Sequence, residues 1–130
     1  MAKARILLVE DDPDVRPLME HILLTELYSV TTAESVAVAL SLLGRQPFDL
    51  VICDVNLPDG SGLRVADEAT AAGVKALVVT GHGLTLKPGD LAPYDYLLKP
   101  LRVSELVAAI ERALAEKAGG SKIFRFPTSP

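Results

Sequence analysis

Four short apolar runs along the chain each end on a reactive or charged side chain. Ile6-Leu7-Leu8-Val9 precedes Glu10-Asp11, Leu50-Val51-Ile52-Cys53 precedes Asp54, Ala76-Leu77-Val78-Val79 precedes Thr80, and Tyr96-Leu97-Leu98 precedes Lys99. Runs of this kind read as parallel strands buried on both faces. Strands are expected at 5–9, 29–32, 49–54, 75–80 and 94–98. Helical periodicity fills the gaps. Asp12 as N-cap with Pro13 at the first helical position opens a helix with the apolar stripe Val15, Leu18, Met19, Ile22 and Leu23. A second helix is expected over 34–43, with Val36, Leu40 and Leu43 inward and Gly44 ending it. A third is expected over 63–72, ending at Gly73, and a last one over 103–117 with Leu106, Ile110, Ala113 and Leu114 on one face.

Strand and helix signals therefore alternate, which is the α/β pattern. In a parallel sheet the C-terminal strand ends share one edge, and ligands bind there. Glu10, Asp11, Asp54, Thr80 and Lys99 are thus expected to meet in one place. Two segments break the pattern. Residues 81–93 hold Gly81, Gly83, Gly89, Pro88 and Pro93, which allow at most a short or irregular helix. Gly119-Gly120-Ser121 closes the folded part, so 1–118 reads as one domain and 119–130 as a tail carrying Phe124 and Phe126.

The 130 residues suit a single domain. A chain of this size buries roughly two thirds of its unfolded surface, so it needs neither disulfide nor structural metal. Hydrophobic residues at 49% and charged residues at 23% describe a soluble globular domain. A net charge of −4 argues against nucleic acid as a partner. No apolar run approaches membrane-spanning length. The lone Cys53 lies inside an apolar run and reads as a buried, inert thiol. A cytoplasmic location is the expectation.

The acidic residues carry the chemistry. Mg²⁺ prefers oxygen ligands in octahedral geometry and keeps several waters. Asp11 and Asp54 could each give one oxygen, Glu10 could act through water, and the backbone carbonyl of Asn56 would complete the protein's share. A plainer alternative is that Glu10, Asp11, Asp12 and Asp14 only decorate the positive end of the first helix. That accounts for Asp12 and Asp14, but not for Asp54, which lies on another strand. A carboxylate beside a metal and a fixed cation can attack phosphorus and form an aspartyl phosphate. Lys99 would supply the cation, and Thr80 a hydrogen bond to a phosphoryl oxygen.

These residues resemble the receiver domain of two-component response regulators. The resemblance rests on Glu10-Asp11 after Ile-Leu-Leu-Val, Asp54 within Val-Ile-Cys-Asp-Val-Asn-Leu-Pro-Asp-Gly, Thr80-Gly81 after Leu-Val-Val, and Tyr96-Leu-Leu-Lys99-Pro100, and it covers about 4–117. It implies a flavodoxin-like, doubly wound five-stranded parallel sheet of order 2-1-3-4-5. It implies that Asp54 accepts a phosphoryl group from a phosphohistidine of a histidine kinase or histidine phosphotransfer protein. Glu10, Asp11, Asp54 and the Asn56 carbonyl would bind Mg²⁺ or Mn²⁺. Lys99 would pair with the phosphoryl oxygens, Thr80 and Tyr96 would form the conformational switch, and Asn56 and His82 would tune the lifetime of the phosphoryl group. The Lys99–Pro100 bond would be cis.

Where the family has its fourth helix, this chain has the Gly- and Pro-bearing segment 81–93, so that helix is expected to be short or degenerate. The stretch from Asp54 to Thr80 is also short, so the third helix should run almost directly into the fourth of the five strands. As it stands, the chain is expected to be a stand-alone receiver that signals through a downstream protein target, with no nucleic acid or membrane partner and no catalysis beyond its own phosphotransfer and autodephosphorylation. Alternatives are an interaction module that works unphosphorylated, an aspartate-nucleophile phosphatase, and a flavodoxin-like cofactor binder. The phosphatase would want a second Asp where Asn56 stands. The cofactor binder would want a Ser-, Thr- and Gly-rich loop where Glu-Asp-Asp-Pro-Asp stands.

Overall fold

In the structure, a computed structural model, residues 3–80, 95–99 and 102–115 are described. Five strands, β1 (Arg5–Val9), β2 (Ser29–Ala33), β3 (Leu50–Asp54), β6 (Lys75–Thr80) and β7 (Asp95–Leu98), form one sheet of order β2-β1-β3-β6-β7. Every neighbouring pair is parallel. This is the expected flavodoxin-like order. Two short strands, β4 (Asn56–Leu57) and β5 (Gly60–Ser61), make an antiparallel hairpin beyond the end of β3. No strand is among those expected there from the sequence.

Side chains on a strand alternate between faces, and the core splits accordingly. Ile6, Leu8, Leu50, Ile52, Leu77 and Val79 face helices α1 (Val15–Thr25) and α4 (Val103–Ala115). Leu7, Val9, Val51 and Cys53 face α2 (Val36–Arg45) and α3 (Gly62–Ala71). Both faces are covered along β1, β3 and β6, which is why those strands read as apolar runs. Each fully buried Leu or Ile contributes about 1.5–3 kcal/mol relative to exposure.

The helix boundaries depart from expectation for local reasons. Asp12 does cap α1: its Oδ1 accepts from the N–H groups of Asp14 (2.8 Å) and Val15 (3.2 Å), and its carbonyl accepts from Arg16 N–H at 2.9 Å. The regular helix nevertheless starts at Val15, because Pro17 has no N–H to give Pro13 and the ladder is interrupted. Leu18, expected on the buried stripe, is 59% exposed. Helix α2 runs through Gly44 to Arg45 and stops because Pro47 forces Gln46 into extended backbone (φ −150, ψ 155). Glu34 lies outside that helix, and Ser35 caps it by accepting from Val38 N–H. Gly73 takes the left-handed conformation (φ 82) after α3, and only residues 72–74 separate α3 from β6, as the short spacing implied.

Candidate functional site

The carboxyl edge of the sheet gathers the four strand ends. Past β1, Glu10 N–H still donates to Ala33 O on β2 at 3.0 Å, which holds Glu10 in line with the sheet before the chain turns at Asp11 and Asp12. Past β3, Val55 N–H donates to Val79 O at 2.9 Å and steadies the turn that follows Asp54. Past β7, Lys99 N–H donates to Thr80 O at 2.8 Å and carries the register of β6 and β7 one residue further.

Two carboxylates are buried here, Glu10 at 2% exposure and Asp54 at 7%. Ion burial without a partner is costly. The partner is Lys99, whose Nζ donates to Glu10 Oε1 at 2.9 Å and to Asp54 Oδ2 at 3.0 Å. The other oxygens are also satisfied: Glu10 Oε2 accepts from Asp12 N–H at 3.2 Å, and Asp54 Oδ1 from Asn56 N–H at 3.2 Å. Burial pushes the Glu10 carboxyl above the usual range; the Lys99 hydrogen bond pulls it back, the Asp54 charge pushes it up again, and the net shift is upward. For Lys99 burial disfavours the charge, but the hydrogen bonds to Glu10 and Asp54 outweigh it, and the ammonium is held above its ordinary pKa.

Ligand oxygens of Glu10, Asp11 and Asp54 all lie within 4.8 Å of one another, with Asp11 exposed and the other two buried. Such an all-oxygen, carboxylate-rich set fits Mg²⁺ or Mn²⁺. Thr80 is fully buried, and its Oγ1 has no hydrogen-bond partner among the described residues. Tyr96 is half-buried and packs against Val55, Ala66 and Val78. It pairs with Val78 in register while Thr80 pairs with Leu98, so Thr80 and Tyr96 share one face of the sheet.

Of the residues singled out from sequence, Glu10, Asp11, Asp54, Asn56, Thr80 and Lys99 thus lie along this edge, and Tyr96 flanks it. His82, the Lys99–Pro100 bond, the expected short fourth helix at 81–93 and the tail with Phe124 and Phe126 lie outside the described residues.

Three contributors escaped the sequence reading. Gly62 brings the start of α3 against β3: a Cβ there would overlap the Asp54 carbonyl oxygen and sit 2.7 Å from Cys53 Sγ. A Gly beside the Asp54 turn was the available signal. Arg16 Nη1 donates to Glu10 O at 3.2 Å. Asp59 accepts from the first two N–H groups of α2. Neither of the last two had a local signal, since both act on distant chain segments.

Comparison with known proteins agrees with this architecture. The family model described as response regulator receiver domain matches residues 6–111. The response regulator protein PilR of Pseudomonas aeruginosa is 35% identical over 120 residues, covering 86% of this chain and 27% of PilR. This chain therefore spans about a quarter of that relative's length. The receiver domain of the sensor histidine kinase PA1611 from the same species, solved with magnesium coordinated in its active-site cleft, superposes with TM-score 0.78 at 30% identity, covering 88% of this chain and 100% of that one. The response regulator TrrA of Thermotoga maritima, solved with Mg²⁺ and BeF, gives TM-score 0.78 at 31% identity and the same coverages. With its five parallel strands, its acidic edge and a family match over most of its length, this chain belongs to the response regulator receiver domain family.

Proposed function

We propose that Asp54 is a phosphoacceptor, loaded from a phosphohistidine of a histidine kinase or histidine phosphotransfer protein. The observation that carries this reading is the Asp54 carboxylate itself. It is buried at a strand end, held by Lys99 on one oxygen and by Asn56 N–H on the other, and within 4.8 Å of two further carboxylates. An Asp54 oxygen attacks phosphorus, the P–N bond breaks, and the bonding pair leaves with the imidazole. The product is an acyl phosphate, which water later cleaves to restore the carboxylate and release phosphate. Glu10, Asp11, Asp54 and the Asn56 carbonyl would hold Mg²⁺, which supplies charge neutralisation for the phosphoryl oxygens.

Lys99 follows the charge, exchanging its hydrogen bond to Asp54 for one to a phosphoryl oxygen. The Thr80 hydroxyl, without a partner among the described residues, gains an acceptor when it turns toward that group, and Tyr96 on the same face fills the vacated space. That repacking biases a two-state equilibrium read by a downstream protein. The magnesium-bearing PA1611 receiver and the Mg²⁺–BeF-bound TrrA support this reading by likeness. The chain turns over only its own phosphoryl group.

The test is incubation with Mg²⁺ and acetyl phosphate, or with beryllofluoride, followed by intact mass and amide chemical shifts. Wild type should gain one phosphoryl group and shift; Asp54→Ala should do neither. A wild type that stays unmodified and unshifted overturns the proposal.

A further inference from the structure

Both loops that carry the acidic residues are tied to one place, the junction of β2 and α2. On one side, Arg16 Nη1 donates to the Glu10 carbonyl at 3.2 Å and lies 3.5 Å from Glu34 Oε2, just ahead of α2. Glu10 N–H meanwhile donates to Ala33 O. The backbone of Glu10 is therefore held at both its N–H and its C=O by groups that converge on residues 33 and 34. On the other side, Asp59 at the tip of the β4–β5 hairpin accepts from Val36 N–H (2.8 Å, Oδ1) and Ala37 N–H (3.0 Å, Oδ2). The hairpin pairs Asn56 with Ser61 and Leu57 with Gly60, so a clamp at Asp59 restrains Asn56. Leu57 is buried in the same cluster as Val36.

We propose that Arg16 and Asp59 are positioning residues that anchor the two metal-facing loops on the start of α2. The inference rests on the reading that Glu10, Asp11, Asp54 and the Asn56 carbonyl hold Mg²⁺. The physical reason is that Mg²⁺ demands near-ideal octahedral geometry, so its site depends on how rigidly the ligand loops are held. A helix start is a stiff support, and its free N–H groups offer attachment points for a carboxylate from a distant loop. Here the cap comes from residue 59, so the helix end and the loop restrain each other. Ser35 offers an internal comparison. It also caps α2, through Val38 N–H, but among the described residues its side chain makes no hydrogen bond to either loop.

Mg²⁺ alone is the probe, titrated into the full chain and followed by amide chemical shifts, with thermal melts to confirm folding. Asp59→Ala and Arg16→Ala should each bind Mg²⁺ roughly tenfold more weakly than wild type, as loss of partners that orient metal ligands typically does. Asp59→Asn should fall between, since one amide oxygen replaces two carboxylate oxygens. Before any metal is added, the Val36 and Ala37 amides should exchange faster in Asp59→Ala. Ser35→Ala should lower helix stability and leave Mg²⁺ affinity at the wild-type level. If wild type takes up no Mg²⁺, the metal reading fails and this inference with it. If wild type binds but both variants bind equally well, or Ser35→Ala weakens binding as much as Asp59→Ala, the anchoring role alone is overturned.

Discussion

The Lys99 ammonium lies 2.9 Å from Glu10 Oε1, although 89 positions separate the two residues in the chain. The same ammonium reaches Asp54, so one cation compensates two buried carboxylates. Removing one partner of a fully buried pair costs about 3–5 kcal/mol. Lys99 keeps 23% side-chain exposure, so Lys99→Ala should cost less, about 2 kcal/mol without metal. Mg²⁺ can then take over the freed carboxylates, and its stabilisation should be larger in Lys99→Ala than in wild type. Paired melts with and without Mg²⁺ check both expectations. Because the Lys99 pKa is raised, its contribution is complete through neutral pH and is lost only as pH climbs through the elevated value.

Gly62 touches the other side of the site. Its Cα packs against the Asp54 carbonyl, where no Cβ fits without displacing backbone. Gly62→Ala should destabilise the fold by about 1–3 kcal/mol, the usual cost of overpacking. It should also slow phosphorylation by acetyl phosphate, because the residue displaced is the proposed acceptor. Denaturant unfolding and mass spectrometry on one preparation separate the two effects.

Thr80 invites the opposite outcome. Its buried hydroxyl lacks a partner among the described residues, and an unsatisfied buried polar group costs about 1–3 kcal/mol. Thr80→Val has nearly the same shape and should raise stability by about 1 kcal/mol. The variant should still gain a phosphoryl group yet show a reduced chemical-shift response to beryllofluoride. A Thr80→Val protein less stable than wild type would contradict the assignment of an unpartnered hydroxyl.

Asp59 predicts a pH dependence. Its carboxyl is held below the usual range by hydrogen bonds from the N–H groups of Ala37 and Val36. A lowered folded-state pKa means stability that is present above the unfolded pKa, about 4, and lost as pH falls through the folded value. The stability gap between wild type and Asp59→Ala should therefore be constant from neutral pH down to about 5 and close below that. Melting curves across an acid series test it. A gap that persists at the lowest pH would show that the carboxylate charge is not what caps α2.

Much of the fold was legible because the signals are local. A strand covered on both faces has little room for polar residues except at its ends, so β1, β3 and β6 stand out as apolar runs. Helix α4 showed its buried face at Leu106, Ile110 and Ala113 through simple periodicity. Misreadings arose where two local signals competed. Gly44 looked like a helix end, but Pro47 set it; Asp12 looked like the start of a regular helix, but Pro17 delayed it. Leu18 carried the right spacing yet stands outside the covered stripe, because spacing alone does not say how wide the neighbouring surface is.

Residue order alone determined which side chains crowd one edge of this protein. Parallel strands end together, so the residue after each apolar run is placed by topology. Tertiary structure alone decided how those side chains share their charge. It set Glu10 and Asp54 inside and Asp11 outside, gave both buried carboxylates to one lysine, left Thr80 without a partner among the described residues, and fastened two loops to the start of α2 through Arg16 and Asp59. Desolvation and ion pairing depend on groups that are distant in the chain and adjacent in space. No pattern of neighbours along a sequence carries that information.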